Sequence, residues 1–593
     1  MSFRRRATTD LGTVVLHWVL VACFLAAALS GLRIASDEPG LRWIAILDAV
    51  LPVERVWLIH LGAAVGLTAT VVAYWTYIGR SRLLPRVSLG AIQLANLFAP
   101  GRMRWAALGS LVLWGLMLAL ALEIATGLGL LAGFGGGSLG LHLLGAWICL
   151  GLPLLHVACH WAYGRGEQLL RVLRPAALVV PMPPPDFAEL LAQHLSQSSS
   201  EGRADGVRPV VLGDKKARRR PLLWAVLAGL VAAGVLTGLE PMSRQSLTVV
   251  RVAPAAVPRL DGDVSDPAWA HAPVTRVLTE HGANFGGTGE STVEMRAVHD
   301  GSTIYFAFTW TDPTRSLKHL PLVKHADGWH LVQTAHDHAD EDRFFEDKFA
   351  VLITRPVLPL IGAAIHLSAK PLTDMPGSLT GRGLHYLAKG GLADVWQWHA
   401  DHANIIDDGF FSGPAEPTAQ QMAQQARYSG GFTAERGPAR YSDNFEPSGP
   451  GGLTRVLRPR RLPKDVQATA LALGRISNNP DVSETETARW WMAADESVSY
   501  SEEADREIPI NTVIPGVIVL KPKPGASGIT GAARWSAGRW TLTLARKLKP
   551  PTPADVPIET GTMMWLAAFD HSETRHTRHL RPIVLELQNA DPS

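Results

Sequence analysis

The sequence predicts two unlike halves: an α-helical membrane bundle of four helices plus a fifth transmembrane helix, then an all-β sandwich outside the membrane. Three observations carry that reading. Nearly all the long apolar runs fall within residues 1–240 of the 593. From residue 245 on, the texture turns to short runs rich in β-branched and aromatic residues, bounded by Gly, Pro and Asp. Lys and Arg gather in alternate connectors, which orients the helices.

Apolar stretches cover 12–34, 56–78, 105–132, 139–163 and 221–239. Each suits a hydrocarbon core of about 30 Å. "RRR" at 4–6, the connector with Arg80, Arg82, Arg86, Arg102 and Arg104, and "KKARRR" at 215–220 belong on the cytoplasmic side. The turn "GFGGGS" at 133–138 has no basic residue and faces outward. The basic N-terminus followed by an apolar run is also the pattern of a signal peptide. Without a small-residue cleavage site, and with more spans following, it reads as a retained first helix. Five spans that start inside place the C-terminal domain outside, the periplasm of a Gram-negative cell. The expectation is a multi-pass protein of the bacterial cytoplasmic (inner) membrane, with a cytoplasmic N-terminus.

The domain boundaries follow. Residues 1–180 form the four-helix membrane domain, and 181–220, with "PMPPPD" and "SQSSSEGRADG", form a cytoplasmic linker. Residues 221–239 are the fifth helix and 240–593 the periplasmic β-sandwich. Net charge is +3 and no basic face is interleaved with aromatics, which excludes a nucleic-acid partner. The three cysteines, Cys23, Cys149 and Cys159, all lie in apolar segments, so the outer half needs no disulfide. No CxxCH occurs, which excludes covalently attached c-type haem.

Histidines inside these apolar spans are the candidate functional residues, because an ionisable side chain in lipid is costly without a role. With the orientation above, His17 lies toward the inner side and His60 toward the outer. His142 and His156 sit near the outer and inner ends of the fourth span. Fourteen residues of helix rise about 21 Å and return to much the same face. Depth then selects two pairs, His60–His142 and His17–His156. Two stacked bis-histidine pairs suit two b-type haems, since neutral imidazole ligates haem iron well. Gly62, Ala63, Gly66, Gly145 and Ala146 leave room nearby. The plainer alternative is four cavity histidines bonded to carbonyls or to one another. His160 is a competing inner ligand, or an interfacial residue near a quinone site.

The residues "LHW" (16–18), "IHLG" (59–62), "LHLLG" (141–145) and "LLHVACHW" (154–161) resemble the bacterial cytochrome b561 type, also seen in the b subunits of nickel–iron hydrogenases. The resemblance covers about residues 10–165. It implies a four-helix cytochrome b core that binds two haems b and exchanges electrons with quinone.

In the outer half, "LTVVRV", "STVEMRAVHDGSTIYFAFTWTD", "KFAVLIT" and "RWTLTLARKL" alternate as half-buried strands do. The phrases "RLDGDVSDPAW" (259–269), "VEMRAVHDGSTIYFAFTWTD" (293–312), "EDKFAVLIT" (346–354), "ADVWQWHA" (393–400) and "SAGRWTLTLARKL" (536–548) resemble the haem-binding domain of the ethylbenzene dehydrogenase gamma subunit. That domain is a relative of DOMON domains and family-nine carbohydrate-binding modules. The resemblance implies a b haem held between the sheets by two side chains, often methionine and lysine. Here the candidate ligands are His385, His399 and Met375, with a lysine near Lys547 as an alternative second ligand. Trp396 and Trp398 read as core or haem packing. A further cluster, His319, His325, His330, His336 and His338 among Asp337, Asp340, Glu341 and Asp342, lacks a defined zinc spacing. It reads as a metal site, a solvated docking loop or a haem ligand source.

These readings converge on a transmembrane electron conduit. It would link quinone, through two membrane haems b and a third periplasmic haem b, to a periplasmic redox protein: a molybdenum oxidoreductase or a cytochrome c. The alternatives are a membrane cytochrome b with a haem-free ligand-binding or sensing module, and a terminal reductase acting on metal or superoxide. No catalytic triad, phosphate loop, flavin motif or molybdenum-cofactor signature is present, so the expectation is an electron-transfer subunit without a catalytic site of its own.

Overall fold

The computed structural model describes residues 8–36, 39–47, 50–52, 56–132, 137–178, 220–242, 244–332, 343–355, 365–367, 385–387, 392–412, 432–434, 440–445, 455–456, 458–477, 479–520, 528–573, 575–579 and 581–589. They fall into two units. The first holds the helices, 1–31, 59–129 and 137–242; the second holds 243–593 together with the connectors 32–58 and 130–136.

Among the described residues, five helices are long and apolar enough to cross a membrane: α1 (Leu11–Ala35), α2 (Val56–Arg80), α3 (Arg102–Leu131), α4 (Gly137–Leu170) and α5 (Arg220–Met242). They are hydrophobic nearly all round, as lipid demands, so polar residues mark where side chains meet. Asp10 caps α1 by accepting from Thr13 N–H at 2.9 Å, and the Tyr77 hydroxyl at the end of α2 donates to it at 2.6 Å. Gly12 allows this approach, because a Cβ there would collide with the Tyr77 ring. In α4, Pro153 is tolerated mid-helix, and Arg165 at φ 53° bends the chain near its end.

The β domain is built on one twelve-stranded sheet. Its strands are β1 (Gln245–Arg251), β2 (Thr275–Thr279), β3 (Ser291–His299), β4 (Thr303–Thr311), β5 (Lys348–Thr354), β6 (Leu392–His399), β7 (Ile406–Ser412), β8 (Phe432–Ala434), β9 (Ile529–Ser536), β10 (Arg539–Lys547), β11 (Met563–Phe569) and β12 (Ile583–Leu587). The order is β8-β7-β6-β5-β11-β12-β1-β3-β4-β10-β9, with β2 paired to β3. Pairs β12–β1 and β1–β3 are parallel and the rest antiparallel. The sheet nearly closes on itself: Asn404 at the start of β7 accepts from Ala533 N–H of β9 at 3.2 Å, and Gly531 leaves room for Ile406.

Alternation explains which faces turn inward. On β3 Val293, Met295 and Ala297 are buried, and on β4 Ile304, Phe306, Phe308 and Trp310. Their hairpin is turned by Asp300, whose carboxylate accepts from Ser302 and Thr303 N–H at 2.7 and 2.8 Å. The core centres on Trp310, which stacks on Phe349 at 4.5 Å, while Trp398 meets Trp540 edge-on at 4.9 Å. Across it, buried Arg546 of β10 pairs with Asp394 of β6 at 2.5 Å and with Asp555 at 3.2 Å. Such a pair stabilises little, but losing one partner strands a charge.

Candidate functional site

The helical unit brings His60 and His142 together. Their ring centroids lie 6.3 Å apart with planes at 84°. His60 Nδ1 stands 3.1 Å from the Ala27 carbonyl of α1 and 3.1 Å from Ser30 Oγ. A carbonyl only accepts, so Nδ1 carries the proton. Ser30 Oγ spends its own proton on the Ala26 carbonyl at 2.6 Å and is free to accept as well. His142 repeats the arrangement: its Nδ1 is 2.9 Å from Thr126 Oγ1 of α3, which donates to the Leu122 carbonyl at 2.7 Å. Both rings therefore keep Nε2 as the lone-pair nitrogen.

This is the donor set a haem requires. An anchored Nδ1–H fixes tautomer and ring angle, while Nε2 is left to ligate. Two metal–imidazole bonds of about 2 Å, plus the near half of each ring, span roughly 6 Å between centroids. The residues present fit a bis-histidine haem b. Small residues clear the surroundings selectively. A Cβ on Gly62 would meet nothing within 4 Å, whereas one on Gly31 would come within 3.1 Å of the His60 ring and one on Gly127 within 3.4 Å of His142. Gly66 and Gly145, expected to make room, are instead closely approached by Cys23 and Glu123 side chains.

The inner set is looser. His156 and His160 lie one turn apart on α4, with centroids at 4.5 Å, and His17 is within electrostatic reach of both. The buried Nδ1 of His156 has no hydrogen-bond partner among the described residues. His160 Nδ1 accepts from the Gln168 amide at 3.3 Å, which places its proton on Nε2. Of the two, His156 is the one with nitrogens left for iron. The sequence reading passed over Glu123: its Oε2 lies 3.4 Å from His142 Nδ1, and its buried Oε1 is unpartnered among the described residues. The signal was a carboxylate inside "LALALEIATG", an intramembrane acid of the kind that marks function.

In the β domain the candidates part ways. Met375 lies outside the described residues, and so does the stretch 333–342 with His336 and His338. His385 opens a short strand, His385–Leu387, paired with Ile365–Leu367, and its side chain is outside the description. Lys547 is exposed at the end of β10. His325 and His330 face each other across a hairpin at 4.8 Å, with His330 Nε2 3.0 Å from Asp327.

His399 ends β6 inside a buried polar cluster. Its Nδ1 lies 2.6 Å from Glu346 Oε1 and its Nε2 3.4 Å from Asp407 Oδ2. Burial alone would lower its pKa. Hydrogen bonds to Asp407 and Glu346, with their negative charge, win and push it up to about 9. His319 joins from 80 residues away, its Nδ1 2.7 Å from Glu346 Oε2, and is held well above the ordinary histidine range despite burial. Glu346 is correspondingly held far below the usual carboxylate range, against its own burial, by His319 and Lys348. With both nitrogens turned to carboxylates, His399 offers a porphyrin no free donor. His402, three residues on, completes the cluster, with its ring 4.4 Å from that of His399. The phrase "HADHANIIDD" (399–408) carried that signal in its His-x-x-His spacing and nearby acids.

By contrast, His579 has only backbone partners among the described residues. Its Nε2 accepts from Leu566 N–H at 2.9 Å and its Nδ1 donates to the Arg581 carbonyl at 2.6 Å. Burial lowers its pKa to about 4.

Residues 266–581 match the family model described as ethylbenzene dehydrogenase, and residues 8–174 match that described as prokaryotic cytochrome b561. No curated protein matches. Among solved structures, a putative carbohydrate-binding protein from Bacteroides uniformis ATCC 8492 is similar at 8% identity and a TM-score of 0.22, covering 58% of this chain and 100% of that one.

Proposed function

Because the chain belongs to the ethylbenzene dehydrogenase family and joins to that domain a prokaryotic cytochrome b561 domain, a membrane electron-transfer cytochrome b, we propose that it links the quinone pool to a periplasmic redox protein. His60 and His142 hold the outer haem b of the membrane domain, and His17 and His156 the inner one. The observation that carries this reading is the His60–His142 pair, with each Nδ1 anchored and each Nε2 free. Haem, when bound, supplies reversible one-electron exchange; the chain sets its ligands, burial and spacing. Ala27, Ser30 and Thr126 orient the two outer rings. His160 and Gln168 line the inner end, where quinone access is proposed.

The protein is placed in the bacterial inner membrane with its N-terminus in the cytoplasm and the β domain in the periplasm. The distribution of Lys and Arg supports this. The partner is a molybdenum oxidoreductase or a cytochrome c. The proposal includes a third haem b in the outer domain, supported by the family resemblance. His385 and Met375 are its proposed ligands, since His399 is engaged by carboxylates.

One observation favours a second reading, a haem-free outer module for a small ligand. A cavity of about 350 Å³ is lined by Trp398, Trp490, Trp491, Trp535 and Trp540 with Arg315. Pyridine haemochrome analysis of the full-length protein separates the two. Three haems b per chain support the complete conduit, two support the membrane cytochrome with a ligand-binding module, and none defeats both.

A further inference from the structure

Away from the helices, four ligating side chains converge in the β domain. Glu346 stands two residues before β5, His399 ends β6, and Asp401 and His402 sit in the turn into β7. One donor atom from each lies within 4.8 Å of the others. The group is closed to solvent: Glu346 is 0% exposed, Asp401 and His402 1%, and His399 9%.

Two of the four are left unsatisfied. Neither nitrogen of His402 and neither carboxylate oxygen of Asp401 has a hydrogen-bond partner among the described residues. Asp401 Oδ1 comes within 2.8 Å of His402 Nδ1 but out of line for a bond. A buried imidazole and a buried carboxylate that make no hydrogen bond, to each other or to any other described residue, cost more than a core tolerates without another partner. Hydrogen bonds within the protein account for His399 and Glu346 but not for this second pair.

The geometry points to a divalent first-row metal ion of the zinc class held by Glu346, His399, Asp401 and His402. Two imidazole nitrogens and two carboxylate oxygens, with no thiolate, suit such an ion. Bonds of about 2.1 Å put tetrahedral donors roughly 3.4 Å apart, so side-chain adjustment alone separates the cluster from a coordination shell. The supporting shell is present. Asp407 stands behind His399, and Tyr441 donates to Asp407 at 2.6 Å. His319 backs Glu346 from the other side. Carboxylates behind ligating imidazoles orient the ring and raise its basicity. Asp401 also lines the tryptophan cavity, which gives an ion a way in. The ion would clamp the lead into β5 to the end of β6 and the turn beyond it.

The test uses the full-length protein in detergent, dialysed against micromolar zinc chloride and then against metal-free buffer. Zinc is counted by elemental analysis and haem by pyridine haemochrome, so loss of one is distinguished from loss of the other. The expected result is one zinc per chain. His402→Ala should lower zinc affinity about tenfold or more at unchanged haem content. Asp401→Asn, nearly isosteric, carries the same expectation and serves if the alanine variant does not fold. A wild-type protein that retains no zinc overturns the assignment. So does zinc binding as tight in Asp401→Asn as in the wild type.

Discussion

The membrane helices and the β domain both bury histidines, and they use them in opposite ways. In the helices, His60 and His142 hydrogen-bond to a backbone carbonyl and to hydroxyl groups whose protons are already committed, and the Glu123 carboxyl stands farther off, 3.4 Å from His142. In the β domain, His319 and His399 meet the carboxylates of Glu346 and Asp407. A neutral acceptor fixes a neutral ring with one nitrogen free, which is a ligand; a carboxylate holds the ring as a cation, which is an ion-pair partner until a metal displaces the proton. His579 shows what burial does where no carboxylate answers it: it lies in the β domain, has only backbone partners among the described residues, and burial lowers its pKa.

The sharpest way to break this comparison is at the outer pair. His142→Ala should cost one full haem equivalent from the membrane domain, read by pyridine haemochrome on the intact protein. Retention of both membrane haems would show that the His60–His142 pair is not a ligand pair. Next, Glu346→Gln takes from His319 and His399 the nearer of their carboxylates, leaving the more distant Asp443 and Asp407. Metal-free protein should lose about 3–5 kcal/mol, seen as a fall in the unfolding temperature of the β domain. A loss below about 1 kcal/mol would mean that the pairing contributes little.

Acid should expose the neutral class. The pKa of His579 is depressed in the folded protein, so its stabilising contribution is complete above the unfolded value near 6.5. It is lost as pH falls through about 4. The expected loss is roughly 3 kcal/mol at most, and His579→Gln should flatten the dependence of melting temperature on pH in that window. The smallest effect concerns an orienting group. Thr126→Val removes the acceptor from His142 Nδ1 while preserving shape. Haem should stay, bound about tenfold more weakly, and competition with apomyoglobin would measure it. Unchanged affinity would assign Thr126 to packing alone.

Much of this architecture was legible in the chain. The apolar run at 56–78 became Val56–Arg80, and that at 221–239 became Arg220–Met242, because transfer into lipid depends on composition over a local window. "STVEMRAVH" and "RWTLTLARK" alternate and became β3 and β10, since a strand's two faces are written two residues apart. The site was legible in part. His60 and His142 were expected to pair and their rings do lie side by side, but nothing in the sequence named Ala27 or Thr126 as their anchors. In the histidine-rich stretch, linear crowding did not show that His319 leaves its neighbours to meet Glu346 and His402.

By itself, then, the sequence determined what each segment is, apolar helix or strand, and which histidines fall inside the apolar helices. Hydropathy and periodicity are local, and local properties survive without a partner. Only the tertiary structure decided which atom faces which. Whether an imidazole is a ligand or a cation turns on contacts of about 3 Å, and those join Glu346 to His399 and Ala27 to His60 across 53 and 33 residues. Sheet register and helix rotation set such contacts, and both come from the packing of the whole chain.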